Sequence, residues 1–160
     1  MWPLLVRSAV RLLAPKWTVG ALGLLANQRG EILLVRHRGR SYPWGLPGGM
    51  LKHPETPTEG LCRELQEELA LALDEELLAI HPPLTATKLP LLELIYSYGK
   101  PLSDNDILNI KTQRIEIAEL KWVNAQTLAL QEGILPRHRT LVDRFLRSAA
   151  GSPKEFNTHT

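Results

Sequence analysis

The sequence has little cysteine and no long apolar run. Cys62 is the only cysteine among 160 residues, so no intramolecular disulfide can form. One thiol and five scattered histidines give none of the CxxC or HExxH spacings that are typical of zinc sites. The longest uncharged segment, 17–28, is far shorter than the roughly 20 residues that span a bilayer. We therefore expect no transmembrane segment and a cytoplasmic protein.

The sequence also lacks a strong excess of charge of either sign. Lys plus Arg is 19 and Asp plus Glu is 17, a net charge of +2. This balance gives no field that would attract nucleic acid, so we do not expect a nucleic-acid partner. The acids are instead concentrated, because the segment 49–76 holds eight acids and two bases. Such a segment suits a hard cation and is also typical of a solvated helix.

The length predicts one domain with short terminal additions. Residues 1–16 have apolar side chains on one side of a helical wheel, with Arg7 and Arg11 on the other. We predict a basic amphipathic helix that packs on the domain, with organelle targeting and contact with a membrane surface as alternatives. The domain itself is predicted over 17–148, followed by a flexible polar tail over 149–160.

Local patterns predict five strands and three helices. The strands are predicted over 18–26, 31–38, 77–87, 89–98 and 115–123, and the helices over 58–71, 125–131 and 136–147. The four-residue turn 27–30 predicts that the first two strands pair as a hairpin. The stretch 41–49 is dense in proline and glycine and predicts an irregular loop.

The predicted helix 58–71 has two different faces. Four residues within about 100° of each other form its apolar stripe: Leu61, Cys62, Leu65 and Leu69. Three carboxylates share another face, which we place in solvent: Glu64, Glu67 and Glu68. A divalent cation would offset their mutual repulsion, and an all-carboxylate set suits Mg²⁺ or Mn²⁺ bound together with substrate phosphates. A solvated acidic face is the alternative.

The residues around this helix have a characteristic spacing. Gly49 is followed after five residues by Glu55 and, after seven more, by the segment 63–71, RELQEELAL. This arrangement resembles the Nudix box, GX5EX7REUXEEXGU with U aliphatic, at eight of nine specified positions. The exception is Ala70, where the family has glycine. The left-handed conformation at a helix terminus is disfavoured by roughly 1 to 2 kcal/mol in a residue that has a Cβ. We therefore expect this helix to end in a different backbone conformation.

The resemblance implies a fold and a reaction. The fold would be a single-domain α/β/α sandwich around a mixed β-sheet. The reaction would be hydrolysis of a nucleoside diphosphate linked to another group, as in a nucleoside triphosphate or a nucleotide sugar, with Mg²⁺ or Mn²⁺. By the same resemblance, Glu64, Glu67 and Glu68 bind metal, and the carbonyl of Gly49 is a backbone ligand. Glu64 is also the candidate for drawing a proton from the attacking water.

Some members of the family complete the metal site with a glutamate after the box. Glu116 fits this role by its place before the segment 121–123, and Glu119 is its competitor. We expect Arg63 to orient a box glutamate by pairing with Glu55, since a guanidinium can hold a carboxylate with two hydrogen bonds.

The sequence gives less information about substrate-binding residues than about metal ligands. Arg36 and Arg38 lie two residues apart on a predicted strand and are candidates for binding phosphate, and Trp44 is a candidate for stacking on a base. The histidines are interpreted as structural or solvated. No residue pattern that distinguishes a Nudix subfamily is found outside the box, so the sequence does not indicate which substrate is used. A nucleotide sensor without turnover and an RNA 5′-end pyrophosphohydrolase are the alternatives, and a homodimer is common among the proteins that this one resembles.

Overall fold

The computed structural model describes residues 16–86, 90–113 and 115–151. The helix expected over 1–16 therefore lies, apart from Lys16, outside the described residues. The final helix continues to Gly151, three residues past the boundary that we expected at residue 148. The rest of the expected tail, 152–160, is also outside the described residues. Within the described part, no helix is long and apolar enough to cross a membrane.

The described residues form seven strands, four α-helices and one 3₁₀ turn. The strands are β1 (Thr18–Leu24), β2 (Ile32–His37), β3 (Trp44–Gly45), β4 (Gly48–Met50), β5 (Leu78–Thr85), β6 (Leu91–Tyr98) and β7 (Ile117–Val123). The helices are α1 (Pro57–Leu69), α2 (Asp104–Leu108), α3 (Ala125–Leu130) and α4 (Pro136–Gly151), and the 3₁₀ turn is Glu75–Leu77. The five strands and three helices predicted from the sequence are confirmed, whereas β3, β4 and α2 were not predicted.

The strands form two sheets. The first is mixed, in the order β4-β1-β6-β5, and its β1 and β6 are parallel. The second is antiparallel, in the order β3-β2-β7. The predicted hairpin of β1 with β2 is wrong beyond the turn, where only an Ala26–Ile32 bridge joins the two segments. The reason is that both edges of β1 are occupied by β4 and β6, and both edges of β2 by β3 and β7.

Helices cover both faces of these sheets. Leucines of α1 and alternate strand residues form the core on one face: Leu61, Leu65, Leu69, Ala21, Leu33 and Val35. The intervening strand residues pack with α4 on the other face: Leu22, Leu24, Ile32, Leu34, Val142 and Leu146. Because the central strands are buried on both sides, their sequences are continuously apolar. The predicted single-domain α/β/α sandwich is confirmed.

Helix α1 carries defined signals at both ends. Thr56 caps its N-terminus in a capping box with Glu59, and Pro57 occupies the first helical position. At the other end Ala70 adopts the left-handed conformation, with φ 54°. Our expectation of a different helix exit is therefore wrong. The glycine-like exit is kept because it closes two hydrogen bonds, from the Ala70 N–H to Gln66 O and from the Leu71 N–H to Leu65 O.

The left-handed conformation of Ala70 gives a stability prediction. Ala70→Gly is expected to raise the free energy of unfolding by roughly 0.5 to 1 kcal/mol, because the gain from removing the Cβ is partly offset by the greater entropy of glycine in the unfolded chain. Urea unfolding checks this value. Ala129→Gly, in the exposed face of α3, is the control and should lower stability by roughly 0.5 to 1 kcal/mol. Destabilisation by both changes would contradict the prediction.

Candidate active site

Residues from both sheets and from helices α1 and α4 line a cavity of about 400 Å³. The segment 41–49 forms part of the cavity wall. We predicted an irregular loop here, and that prediction is wrong because the segment contains β3 and the start of β4. Both are edge strands of their sheets. Proline and glycine are tolerated in such a stretch because an edge strand has fewer ladder hydrogen bonds to lose than a central one.

Two glycines of β4 bring the helix carboxylates close to the backbone. A Cβ at Gly49 would lie 2.5 Å from Cδ of Glu64, so the absence of a side chain leaves room for that carboxylate. Gly48 has φ +123°, and a Cβ there would lie 2.2 Å from the carbonyl oxygen of Ala21. The Gly48 N–H donates to Oε2 of Glu68 at 3.5 Å. Glycine at both positions thus determines where Glu64 and Glu68 lie.

Glu68 is buried, with 3% of its surface exposed. Our placement of this residue on the solvated face of the helix is therefore wrong, because the edge strand β4 covers that part of α1. The pKa of Glu68 is raised to about 7, and burial is the largest cause. The hydrogen bond from Gly48 opposes this shift, and the nearby charges of Glu64 and Glu116 add to it. A buried carboxylate among like charges is stabilised by a proton or by a cation.

Arg63 joins three of the carboxylates. Its Nε and Nη2 donate to Glu55 at 2.8 and 2.7 Å, which is the two-bonded pair that we predicted. Its Nη1 donates to Oε1 of Glu64 at 2.8 Å and to Oε2 of Glu67 at 3.1 Å. Hydrogen bonds from Arg63 are the main reason that the pKa of Glu55 is lowered to about 2. Arg63 therefore fixes the orientation of Glu64 relative to the rest of the acidic cluster.

The carboxylates that line the cavity are Glu64, Glu68, Glu93 and Glu116, and Gly49 lies beside them. Within the described ranges, no three His, Cys, Asp or Glu side chains lie close enough together to hold a metal ion as they stand. Glu67 is half-exposed, and Lys52 Nζ lies 3.6 Å from it. The donor set of Glu64, Glu68 and Glu116 nevertheless consists of oxygens, which hard divalent cations prefer. The charges of Glu64 and Glu116 both disfavour the ionised form of Glu68, in addition to its burial.

The structure separates the two candidates for the additional glutamate. Glu116 lines the cavity and acts electrostatically on Glu68. Glu119 lies on β7 opposite Arg36, and Arg36 Nε donates to its carboxylate at 3.0 Å in an exposed pair. Glu116 therefore lies at the cavity and Glu119 does not line it, and the role of Glu116 as a metal ligand stays a prediction.

Of the three predicted substrate contacts, only Trp44 lines the cavity. It is nearly buried, and its ring also packs in the core next to α4. Arg36 is turned towards Glu119, and Arg38 donates its backbone N–H to the carbonyl of Glu116. Neither arginine is part of the cavity wall, so their predicted contact with substrate phosphate lacks support from position.

Several polar residues of the cavity were not predicted as site residues: His37, Arg40, Tyr42, Glu93, Arg137 and His138. From the sequence, the histidines were interpreted as structural or solvated. Glu93 and Arg137 pair directly although they are 44 residues apart. No local spacing could have indicated this contact, because it depends on how α4 packs against β6.

Comparison with known proteins defines the class. The sequence model of the NUDIX domain family matches residues 16–145, and the chain therefore belongs to this family. The solved MutT protein from Methanosarcina mazei Go1 has a similar fold, with a TM-score of 0.64, 23% identity, and coverage of 86% of this chain and 98% of that one.

Similar curated proteins are matched over shorter stretches. An RNA pyrophosphohydrolase of Marinomonas sp. (strain MWYL1) is 46% identical over 48 residues, 30% of this chain and 29% of the relative. A MutT-like protein of Streptomyces ambofaciens is 34% identical over 68 residues, 42% of this chain and 44% of the relative. The chain thus spans less than half the length of these relatives.

Proposed function

We propose that the protein hydrolyses a phosphoanhydride bond in a small nucleotide, such as a nucleoside triphosphate or a nucleotide sugar, with Mg²⁺ or Mn²⁺. The observation that carries this proposal is that Glu64, Glu68 and Glu116 line the same cavity in a NUDIX domain. A cavity of about 400 Å³ is within the range of roughly 300 to 1,000 Å³ that is typical of small-molecule sites. Cytoplasmic location and a homodimer stay predictions.

The site residues would have different roles in the reaction. A divalent cation, when bound, neutralises phosphate charge and lowers the pKa of an attacking water. Glu64, Glu67, Glu68 and Glu116, with the carbonyl of Gly49, are the proposed ligands. Glu64 is also suited to draw the proton from the water, because Arg63 and Gly49 fix its carboxylate. Arg63 acts as a positioning residue.

Two alternatives are kept. RNA 5′-end pyrophosphohydrolysis is favoured by the name of the Marinomonas relative, which is given to several other relatives as well. A sensor that binds nucleotide without turnover is disfavoured by the complete set of box glutamates and by the hydrogen bonds that hold them.

The choice between Glu116 and Glu119 gives a direct prediction. Glu116→Gln is expected to lower kcat by about tenfold or more, because it removes a charge from the cavity that faces Glu68. Glu119→Gln removes only an exposed pair with Arg36 and should leave kcat and stability within error. Steady-state kinetics with each variant make the comparison. A larger loss with Glu119→Gln would show that the wrong carboxylate was chosen.

A second pair of variants tests which arginine binds phosphate. Arg40 lines the cavity and acts electrostatically on both Glu68 and His37. Arg40→Ala is therefore expected to raise KM for a nucleotide substrate about tenfold, through loss of a charge-assisted contact. Arg36→Ala is the matched control and should leave KM unchanged. Equal effects of the two changes would show that only the general charge of this surface matters.

The proposed function is tested by release of phosphate or nucleotide from a panel of substrates. The panel contains nucleoside triphosphates, nucleotide sugars, ADP-ribose, dinucleoside polyphosphates and a 5′-triphosphorylated RNA, each with Mg²⁺, with Mn²⁺ and with EDTA. Metal-dependent turnover that Glu64→Gln abolishes would support the proposal. Turnover of the RNA alone would favour the first alternative, and saturable binding without turnover would favour the sensor.

A further inference from the structure

An ion pair between a buried carboxylate and a partly buried arginine forms part of the cavity wall away from the box. Arg137, at the start of α4, donates from Nε to Oε2 of Glu93 at 2.8 Å and from Nη2 to Oε1 at 2.9 Å. His138 Nε2 lies 3.1 Å from the same Oε2. Glu93 is only 7% exposed, and all three residues line the cavity. The Glu93 carboxylate thus has three close polar contacts, and Arg137 is held in one orientation by two of them.

This pairing uses only one edge of the guanidinium. Nε and one N–H of Nη2 point to Glu93, which leaves both hydrogens of Nη1 and the second hydrogen of Nη2. Among the described residues, no acceptor is bonded to these remaining hydrogens. One N–H from each of Nη1 and Nη2 forms a second pair of parallel donors, which matches a planar group with two adjacent acceptor atoms.

The charge of the pair decides what kind of group this is. Burial alone would raise the pKa of Glu93, but the contacts with His138 and Arg137 outweigh it and lower the pKa to about 2. The ionised carboxylate therefore cancels the charge of Arg137. Because the pair is neutral overall, it attracts a phosphate only weakly. The remaining N–H groups of Arg137 can still donate hydrogen bonds in a fixed direction. Apolar side chains line the same cavity, namely Leu22, Leu91 and Leu135, with Trp44 beside them.

The two polar parts of the cavity come from opposite faces of the fold. The acidic residues Glu64 and Glu68 belong to α1, which covers one face of the sheets, and Arg137 belongs to α4, which covers the other. A ligand that reaches both would place its phosphates near α1 and a different group near Arg137. For a nucleotide, that group is the base.

We infer that Arg137, positioned by Glu93, reads the edge of a nucleobase that carries two adjacent acceptors. Guanine has such an edge at O6 and N7, and cytosine has one at N3 and O2. In adenine the amino donor lies beside the ring acceptor, and in uracil no two acceptors are adjacent. The inference rests on the proposed function, since it assigns the base preference of the same cavity. It predicts preference for guanine and cytosine nucleotides.

Binding of nucleoside monophosphates tests the inference without turnover. GMP, CMP, AMP and UMP carry the same phosphate, so isothermal titration calorimetry compares the bases alone. GMP and CMP are expected to bind the wild type about tenfold or more tightly than AMP and UMP. Arg137→Lys should abolish this difference, because an ammonium is a point charge without a fork. Arg147→Lys, in an exposed pair with Asp143 on the same helix, is the control and should keep it.

Further measurements separate the remaining explanations. The monophosphate of 7-deazaguanosine lacks N7 and should bind the wild type about as weakly as AMP, a comparison that needs no variant. Glu93→Gln, checked by thermal unfolding alongside Arg137→Lys, should reduce the preference by freeing the guanidinium. An equal loss of affinity for all four nucleotides in Arg137→Lys, or equal binding of all four by the wild type, would overturn the inference. Absence of turnover with base preference intact would instead overturn the proposed function alone.

Discussion

Glu68→Gln is expected to remove most of the turnover, by about 100-fold or more, and to stabilise the metal-free protein at neutral pH. The loss follows if Glu68 is a metal ligand, since even residues that only support ligands affect activity by about 10- to 100-fold. The gain in stability follows from burial. Glu68 is 3% exposed and its pKa is raised to about 7, so its ionised form is disfavoured in the folded protein.

The sign of the pH dependence follows from that raised pKa. Between about pH 4.5 and pH 7 the folded protein holds the Glu68 proton more strongly than the unfolded chain does. The stability that protonated Glu68 contributes is therefore present below pH 4.5 and is lost as the pH rises through 7. The difference in Tm between Glu68→Gln and the wild type should accordingly grow from pH 5 to pH 8 in EDTA.

Thermal unfolding across this pH range, together with kinetics, checks both parts of the Glu68 prediction. Glu67→Gln is the matched control on stability, because Glu67 lies on the same helix but is half-exposed, so the burial argument does not apply to it. A Tm difference that stays constant with pH would refute the burial argument. Full turnover by Glu68→Gln would exclude this residue from the metal site.

The second large effect is expected from the two glycines of β4, which should respond differently to alanine. At Gly49 the new Cβ would meet the carboxyl end of Glu64 at 2.5 Å, a flexible group that can move away. Gly49→Ala should therefore fold but lose about 100-fold or more in kcat, since Glu64 leaves its position. At Gly48 the Cβ would meet a backbone carbonyl at 2.2 Å with φ +123°, so Gly48→Ala should lower the free energy of unfolding by about 3 kcal/mol or more.

Urea unfolding and activity of the two variants make this comparison. Gly30→Ala is the control, because Gly30 also has a positive φ, of +75°, but nothing lies within 4 Å of its Cβ position. It should lose roughly 1 kcal/mol of stability and no activity. A fully active Gly49→Ala would contradict the placement of Glu64, and a stable Gly48→Ala would contradict the close packing of β4 on β1.

Local sequence information predicted the elements whose cause is itself local. Helix α1 follows from its apolar period and capping residues, and the long strands follow from apolar runs of strand length. The pairing of Arg63 with Glu55 was predicted because both belong to one short motif. The end of α1 was mispredicted, since Ala70 keeps a glycine-like conformation for the sake of two hydrogen bonds that its identity does not reveal.

The sequence by itself thus determined the family and the acidic helix, because these depend on residues at short, fixed spacing. Only the tertiary structure decided that Glu68 is buried, that β1 and β2 separate into different sheets, and that Glu93 meets Arg137. Each of these depends on which strand or helix covers a given surface. Such contacts join residues far apart in the chain, and no periodicity along the sequence encodes them.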